Sequence, residues 1–342
     1  MFLPQSFGVA LLFMLLGMAG WGSWANAYKL TPGRRFELFY WDYAAGIFLT
    51  AVLGALTLGS LFGAPTSIEN FRDAGLASKG YALLAGVVLN CGNVLLMAGI
   101  ALAGMAVAFP IALGLSMVVS TALSYMVTPK GDPSYLFTGV ALVFVAVVFS
   151  SLAYRAREGM TRRPPLKGLL VCLASGVLFC GFAPLVAKSF AAPDPVSPYG
   201  AGVLFTAGAL LSTFPLMGYI MRHPLEGRPL TARDYWRGSS TEHMAGLLGG
   251  LIWGSGTVLT FAAADFVGMA LAGAIGQANS LVAAIWGVFV WREFRGAPWR
   301  SKTLLTLMFL FYIGGIAAIA LSHEPAAPKA FTKMTLQFGT GD

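Results

Sequence analysis

Very few polar side chains interrupt the apolar runs of this 342-residue chain, and those few set the chemistry available to it. Asn90 and Asn93 are three apart within one run, which puts them on one face of a helix. Gln277 and Asn279 lie within another run, followed by Ser280. Carboxamides donate and accept hydrogen bonds together, so Asn93 and Gln277 facing each other would suit a small polar solute, with Asn90 and Asn279 as further candidates. The same four groups would otherwise tie neighbouring helices together. Trp21, Trp24 and Trp253 offer flat faces for a planar ring, Trp253 lying deepest in its run. Trp41, Trp236, Trp291 and Trp299 lie towards run ends, where tryptophan marks a membrane interface. Asp42 is the one carboxylate expected in the first turn of an apolar run, where it can take up a proton or simply favour the helix N-terminus. Glu37 is expected to be solvated and Lys188 to snorkel. Pro110, Pro184 and Pro215 fall inside runs, as hinges or fixed bends.

Enzymatic and metal chemistry find no inventory here. His223, His243 and His323 fall in loops or at run ends without an HExxH pattern, and no run holds paired carboxylates. Cys91, Cys172 and Cys180 form no CxxC pair and read as small apolar residues. Neither cofactor nor metal is expected.

The elements that must carry these residues follow from composition. Charged residues make up 11% and hydrophobic ones 57%, and mean hydropathy is +0.74. A water-soluble surface cannot be covered with so few charges. About 20 apolar residues make one membrane-spanning helix, so the chain carries enough for ten. The expected spans are 7–28, 43–62, 80–101, 104–127, 135–154, 168–188, 199–220, 243–264, 267–290 and 303–322. The first span ends near an AxA-like Ala25-Asn26-Ala27 but lacks a basic leader, so it reads as a span rather than a cleaved signal. Of 22 Lys and Arg, 16 fall in the loops after odd-numbered spans, including Arg155, Arg157, Arg162, Arg163 and Lys167. The positive-inside rule then places these loops in the cytoplasm and both termini outside, in a cell (inner) membrane. The net charge of +8 is accounted for by topology, not by nucleic acid.

Self-comparison adds an architecture. Gly104-Met105-Ala106-Val107-Ala108 returns as Gly268-Met269-Ala270-Leu271-Ala272, and the same offset gives 12 identities in 33 positions from Gly86 to Val118. Tyr43–Ala51 resembles Tyr199–Ala207, and Gly17, Gly22 and Lys29 align with Gly176, Gly181 and Lys188. The fold expected is an all-α polytopic membrane protein, ten transmembrane helices as a 5+5 inverted repeat. Residues 1–154 form one unit, 155–167 a basic linker, 168–322 the second unit and 323–342 a tail. Five spans per copy turn the second copy over, a design of secondary transporters with the solute site near the midplane.

Ten spans so arranged resemble the drug/metabolite transporter superfamily. Gly22-Ser23-Trp24-x-Asn26, Tyr40-Trp41-Asp42-Tyr43, Leu56-Thr57-Leu58-Gly59, Gly92-Asn93 and Ser120-Thr121-Ala122-Leu123-Ser124-Tyr125 resemble the ureide permease family and its bacterial relatives, chiefly over residues 10–130. The resemblance implies transport of allantoin, uracil or related oxo-N-heterocycles, with protons as coupling ion. Plant members carry a Walker-A-like stretch in a long loop between spans 5 and 6; here residues 155–167 have none, so no nucleotide role carries over. The alternatives are a monosaccharide porter or a drug exporter of the same superfamily, and outside transport a sensor or assembly subunit. The partners expected are a small-molecule substrate, protons and the lipid bilayer; oligomeric state is left open.

Overall fold

The computed structural model describes residues 1–158, 165–224 and 227–323. Among them ten helices are long and apolar enough to cross a membrane: α1 Phe7–Tyr28, α2 Phe36–Leu56, α3 Leu76–Ala103, α4 Phe109–Val127, α5 Pro133–Arg157, α6 Leu166–Ala191, α7 Pro198–Arg222, α8 Ser240–Val267, α9 Met269–Val290 and α10 Trp299–Leu321. No strand occurs among the described residues, and the protein is an all-α, multi-pass membrane protein. Of the basic linker, Arg162 and Arg163 lie outside the described residues, as does the tail from 324 onward.

Nine of the expected spans agree with these helices to within a few residues. The second does not: α2 starts at Phe36 and ends at Leu56, earlier at both ends than 43–62. Asp42 looked like a boundary because it is charged, but its charge is met by other parts of the bundle and the helix runs through it. Asp42 is therefore in the second turn, and the first-turn acid is Glu37. A helix-dipole role for Asp42 falls away, since that effect fades beyond the first turn. Glu37 is not the free solvated group expected either, because it pairs with Arg35.

Glycine sets how closely the helices approach. In the α3–α7 seam a Cβ on Gly86 would lie 1.7 Å from the Phe205 carbonyl oxygen, and one on Gly208 2.1 Å from that of Leu83. In the α2–α8 seam a Cβ on Gly250 would lie 2.2 Å from the Tyr43 carbonyl oxygen, and one on Gly46 2.5 Å from that of Leu247. Residues 83 and 86 of one seam match 247 and 250 of the other, while their partners 208 and 205 match 46 and 43. That places Tyr43 opposite Phe205, not opposite Tyr199 as the sequence comparison had it. Other neighbours correspond in the same way: α3–α6 with α8–α1, and α4–α6 with α9–α1. Gly104 ends α3 at φ +81, ψ +157, and Gly268 ends α8 at φ +87, ψ +154. That backbone region is essentially closed to other residues, so both turns reverse direction on a single glycine.

The two ends of the bundle are closed differently. At one end lie residues 29–35, 227–239 and 291–298, here called the basic end. Every ion pair between described residues is found there: Lys29 and Arg157 with Glu293, Arg34 with Asp42 and Glu242, Arg35 with Glu37, Arg228 with Asp234, and His243 with Asp42. The opposite end holds no ion pair between described residues; its hydrogen bonds run to backbone or between neutral side chains, with the Lys130 ammonium donating to the Asp265 and Phe266 carbonyls. A short helix, Ser67–Asp73, spans part of it, with Ser67 Oγ 3.3 Å from Ser197 Oγ and the Asn70 amide donating to the Pro195 carbonyl at 3.1 Å. Ser78 donates to the Ser189 carbonyl at 2.8 Å and accepts from the Val196 N–H at 2.8 Å.

Candidate functional site

The glycine seams bring polar and aromatic residues of α1, α2, α3, α7 and α8 together. Asn90 projects from α3 into the seam with α7. Its amide reaches the Ala209 carbonyl at 3.0 Å, Ser212 Oγ at 2.9 Å and Thr213 Oγ1 at 3.2 Å, and its oxygen accepts from the Tyr40 hydroxyl at 2.5 Å. Only 2% of Asn90 is exposed, and both ends of its carboxamide are occupied. It ties three helices, with both amide hydrogens and one lone pair of its oxygen engaged. Asn93, one turn further, is half-buried and lies beside the same Tyr40 hydroxyl.

Three aromatic rings form a stack in the same part of the bundle. Trp253 on α8 lies nearly parallel to Trp21 (ring centroids 5.7 Å apart, 20° between planes) and to Phe205 (6.4 Å, 9°). Trp21 is fixed by its indole N–H, which donates to Thr257 Oγ1 at 3.0 Å, and by the absence of a side chain at Gly276, where a Cβ would lie 2.7 Å from the ring. Trp24 packs on Tyr43 at 4.6 Å. Trp24 and Trp253 both lie against the cluster of Tyr40, Tyr43 and Val94, the residue after Asn93. Aromatic faces and the half-buried Asn93 carboxamide beside Tyr40 thus share a region, which is what a flat polar ring would need.

Gln277 and Asn279 sit on the other side of Trp21. Gln277 accepts from Ser116 Oγ at 3.3 Å and donates to Ser120 Oγ at 3.0 Å, tying α9 to α4. Directly after it the α9 helix is interrupted: Ala278 and Asn279 form a turn and a new helical stretch begins at Ser280. Ser280 Oγ lies 2.5 Å from the Tyr312 hydroxyl on α10. Gln277 is thus bonded at both ends of its carboxamide to serines of α4. Pro110 lies in a π-helical turn, Phe109–Gly114, and Pro184 and Pro215 lie inside α6 and α7. Lys188 ends α6 with its ammonium 5.8 Å from the Tyr81 ring. Of the four tryptophans expected at interfaces, Trp236 and Trp299 are each 77% exposed.

Asp42 is at the centre of a cluster that the sequence gave little sign of. One oxygen accepts from the Tyr235 hydroxyl at 2.6 Å, and the other lies 2.8 Å from His243 Nδ1 and 3.9 Å from Arg34 Nη2. Arg34 Nη1 reaches Glu242 at 3.3 Å. Tyr235 belongs to a short helix, Ala232–Trp236, started by a capping box between Thr231 and Asp234. The Arg228 guanidinium and the Thr231 hydroxyl and N–H hold the Asp234 carboxyl well below the usual carboxylate range. Burial, and then the Asp42 carboxylate, push the Tyr235 hydroxyl well above its ordinary range, so it stays a donor to Asp42. Arg34, Tyr235, Glu242 and His243 were missed because each lies in or beside a loop. Only the fold shows that the two loops meet.

The family model described as ureide permease matches residues 39–163 and 161–322, most of the chain. The chain belongs to the ureide permease family. Among curated relatives, Ureide permease 1 of Arabidopsis thaliana is 26% identical, covering 94% of this chain and 99% of its own. Ureide permease 2 of the same plant is 23% identical with the same coverage. Probable ureide permease A3 of Vigna unguiculata is 27% identical over 48% of this chain and 46% of its own. A solved crystal structure shares the fold at a TM-score of 0.64 and 17% identity, covering 92% of this chain and 96% of that one. The two family-model matches meet in the basic linker expected from sequence. Membership in a permease family makes this protein a transporter rather than an enzyme.

Proposed function

We propose that the protein is a secondary active transporter that moves a small planar polar solute by alternating access, an oxo-N-heterocycle such as allantoin or uracil, together with a proton. The observation that carries this reading is the near-parallel stack of Trp21, Trp253 and Phe205, with Trp253 packed on the cluster of Tyr40, Tyr43 and Val94, the residue after the half-buried Asn93. Stacking supplies affinity for a flat ring, and a carboxamide supplies one donor and one acceptor for its polar edge. The relatives' printed name points to the same solute class. Trp24 closes the aromatic side, and Gln277 and Asn279 flank the α9 interruption, a feature that lines solute paths in other transporters. Asn90 serves as a pin rather than a contact.

Residues 1–154 and 168–322 are read as two copies inverted about an axis in the membrane plane, of the drug/metabolite transporter type. The matched glycine seams and the two single-glycine turns support this. Both termini are placed outside the cytoplasm of a cell membrane, with the basic end inside. Asp42 is the carboxylate through which proton binding is felt.

The test is uptake of labelled uracil and allantoin into proteoliposomes, with and without an inward proton gradient, and a labelled hexose in parallel. Gradient-stimulated uptake of a heterocycle, lost in Trp253→Ala and Asn93→Ala but kept in a Lys188→Gln control, is the expected result. Uptake of the hexose alone would discard the substrate class, and uptake indifferent to the gradient would discard proton coupling.

A further inference from the structure

The cluster around Asp42 is one positive charge short. Arg34 faces two carboxylates, Asp42 and Glu242, with side-chain exposures of only 3% for Arg34 and 7% for Asp42. Its Nε and Nη2 are buried without a hydrogen-bond partner, so the guanidinium is held by charge rather than by a full set of bonds. The remaining charged groups nearby are already paired or solvated. Arg35 pairs with Glu37 and Arg228 with Asp234, while Arg237 is exposed and makes no ion pair among described residues. The group able to supply the missing charge is His243, whose Nδ1–H points at Asp42.

We infer that His243 and Asp42 together form a proton-binding site that decides whether the basic end of the bundle is closed. The inference deepens the proton coupling proposed above and rests on that reading for its role in transport. With the imidazole neutral, Nδ1–H donates to Asp42 and Nε2 carries the lone pair. Nε2 faces Gly238, where a Cβ would lie within 2.8 Å of it and 2.2 Å of Arg34 Nη1. Gly238 also lines an open cavity of about 360 Å³ with Arg34, Arg237 and Glu242, and the His243 side chain is itself 23% exposed, so the imidazole is within reach of water. A proton taken from water at Nε2 makes an imidazolium, and the fixed charges of Arg34, Asp42, Glu242 and His243 then sum to zero. Asp42 and His243 become an ion pair that holds α2 against α8, with Tyr235 drawn in by its hydroxyl. When the proton returns to water, the buried Asp42 carboxylate and the half-exposed Glu242 carboxylate, which also accepts from the Ser239 N–H, face one guanidinium. The closed arrangement then loses stability, and the segment carrying Tyr235 and Gly238 is released from α2. The closed form is favoured while the imidazole carries its second proton and loses stability when it does not.

The test uses the full-length protein in lipid nanodiscs and needs no substrate. With three histidines in the chain, ring signals of isotope-labelled histidine can be assigned by single substitution. The His243 signal is expected to titrate, with a midpoint that moves by at least one pH unit, tenfold in proton affinity, in Asp42→Asn. Hydrogen exchange of residues 228–240, corrected for intrinsic rates, should rise at least tenfold between pH 5.5 and 8 and become pH-independent in His243→Gln. That variant keeps a donor at the site but carries no charge. A His243 midpoint indifferent to Asp42→Asn, or exchange whose pH dependence survives His243→Gln, overturns the inference. If both measurements hold while gradient-driven uptake fails, the proton-operated closure stands and the transport reading falls. Gradient-driven uptake with no titration at His243 places the coupling proton elsewhere and overturns the closure alone.

Discussion

The α3–α7 and α2–α8 seams begin from the same geometry and are finished in opposite ways. Both bring two helices together over glycines whose Cβ positions would collide with a facing carbonyl. The first is pinned mid-helix by Asn90, a neutral group whose four contacts do not depend on proton concentration. The second is pinned near its entry by Asp42, His243 and Arg34, whose mutual energy changes with one proton. One seam is built to stay shut and the other to respond. Two seams of like geometry can therefore differ in their response through the chemistry of a few residues at matched positions.

The largest expected effect comes from removing the close approach itself. Gly86→Ala should destabilise the protein by about 3 kcal/mol or prevent folding, because the Phe205 carbonyl has to move away from the new methyl. Thermal unfolding in detergent measures it, and an unchanged midpoint would show that the seam tolerates a wider spacing. Asn90→Ala follows at about 2–3 kcal/mol, since it strands the buried Tyr40 hydroxyl and its partners on α7. The loss should be equal at pH 5.5 and pH 8, and a pH-dependent loss would contradict the neutral character of that pin. Arg34→Gln should cost about 2 kcal/mol at pH 8 and less at pH 5.5, where a proton on His243 replaces the missing cation. Equal losses at the two pH values would remove the contrast between the seams.

Two smaller effects sharpen the picture. Trp253→Leu puts at this position the residue type found at the matching Leu89, and should raise the KM for a heterocyclic solute up to about tenfold with little change in unfolding midpoint. An unaltered KM would move the solute away from the stack. Asp234→Asn should hasten trypsin cleavage within residues 228–238 at neutral pH. The depressed carboxyl contributes above its unfolded-state pKa, about 3.9, and that contribution is lost as pH falls through its lower folded value. Unchanged cleavage would show that the segment is held by Tyr235 and Leu230 alone.

Helix number and most boundaries were legible because apolar runs of bilayer length leave little freedom. The exception at α2 is instructive. A charge inside a run signals a boundary only if nothing in the fold neutralises it, and Arg34 and His243 come from other segments. For the same reason Asn90 and Asn93 could not be told apart in sequence. They share a face, but only Asn90 points at the hydroxyls of α7. Trp253 was recognisable by its depth, whereas Phe205 looked like any buried phenylalanine until its ring was found parallel to the indole. The correct pairing of the second and seventh helices was also hidden, because the carbonyls beneath Gly86 and Gly250 carry no sequence signature.

The turns at Gly104 and Gly268 bear on how such a chain enters a bilayer during synthesis. Gly268 joins α8 directly to α9, and Gly104 joins α3 to a helical stretch, Met105–Ala108, that runs on into α4, so neither turn has a segment that could be held in water while the other helix crosses. Neither turn carries a lysine or arginine. The pairs α3–α4 and α8–α9 must then insert as hairpins, oriented by basic residues that flank the pair rather than by any of their own. Topology would be decided for two helices at a time, and a reporter spliced into either turn would disrupt the hairpin it was meant to locate.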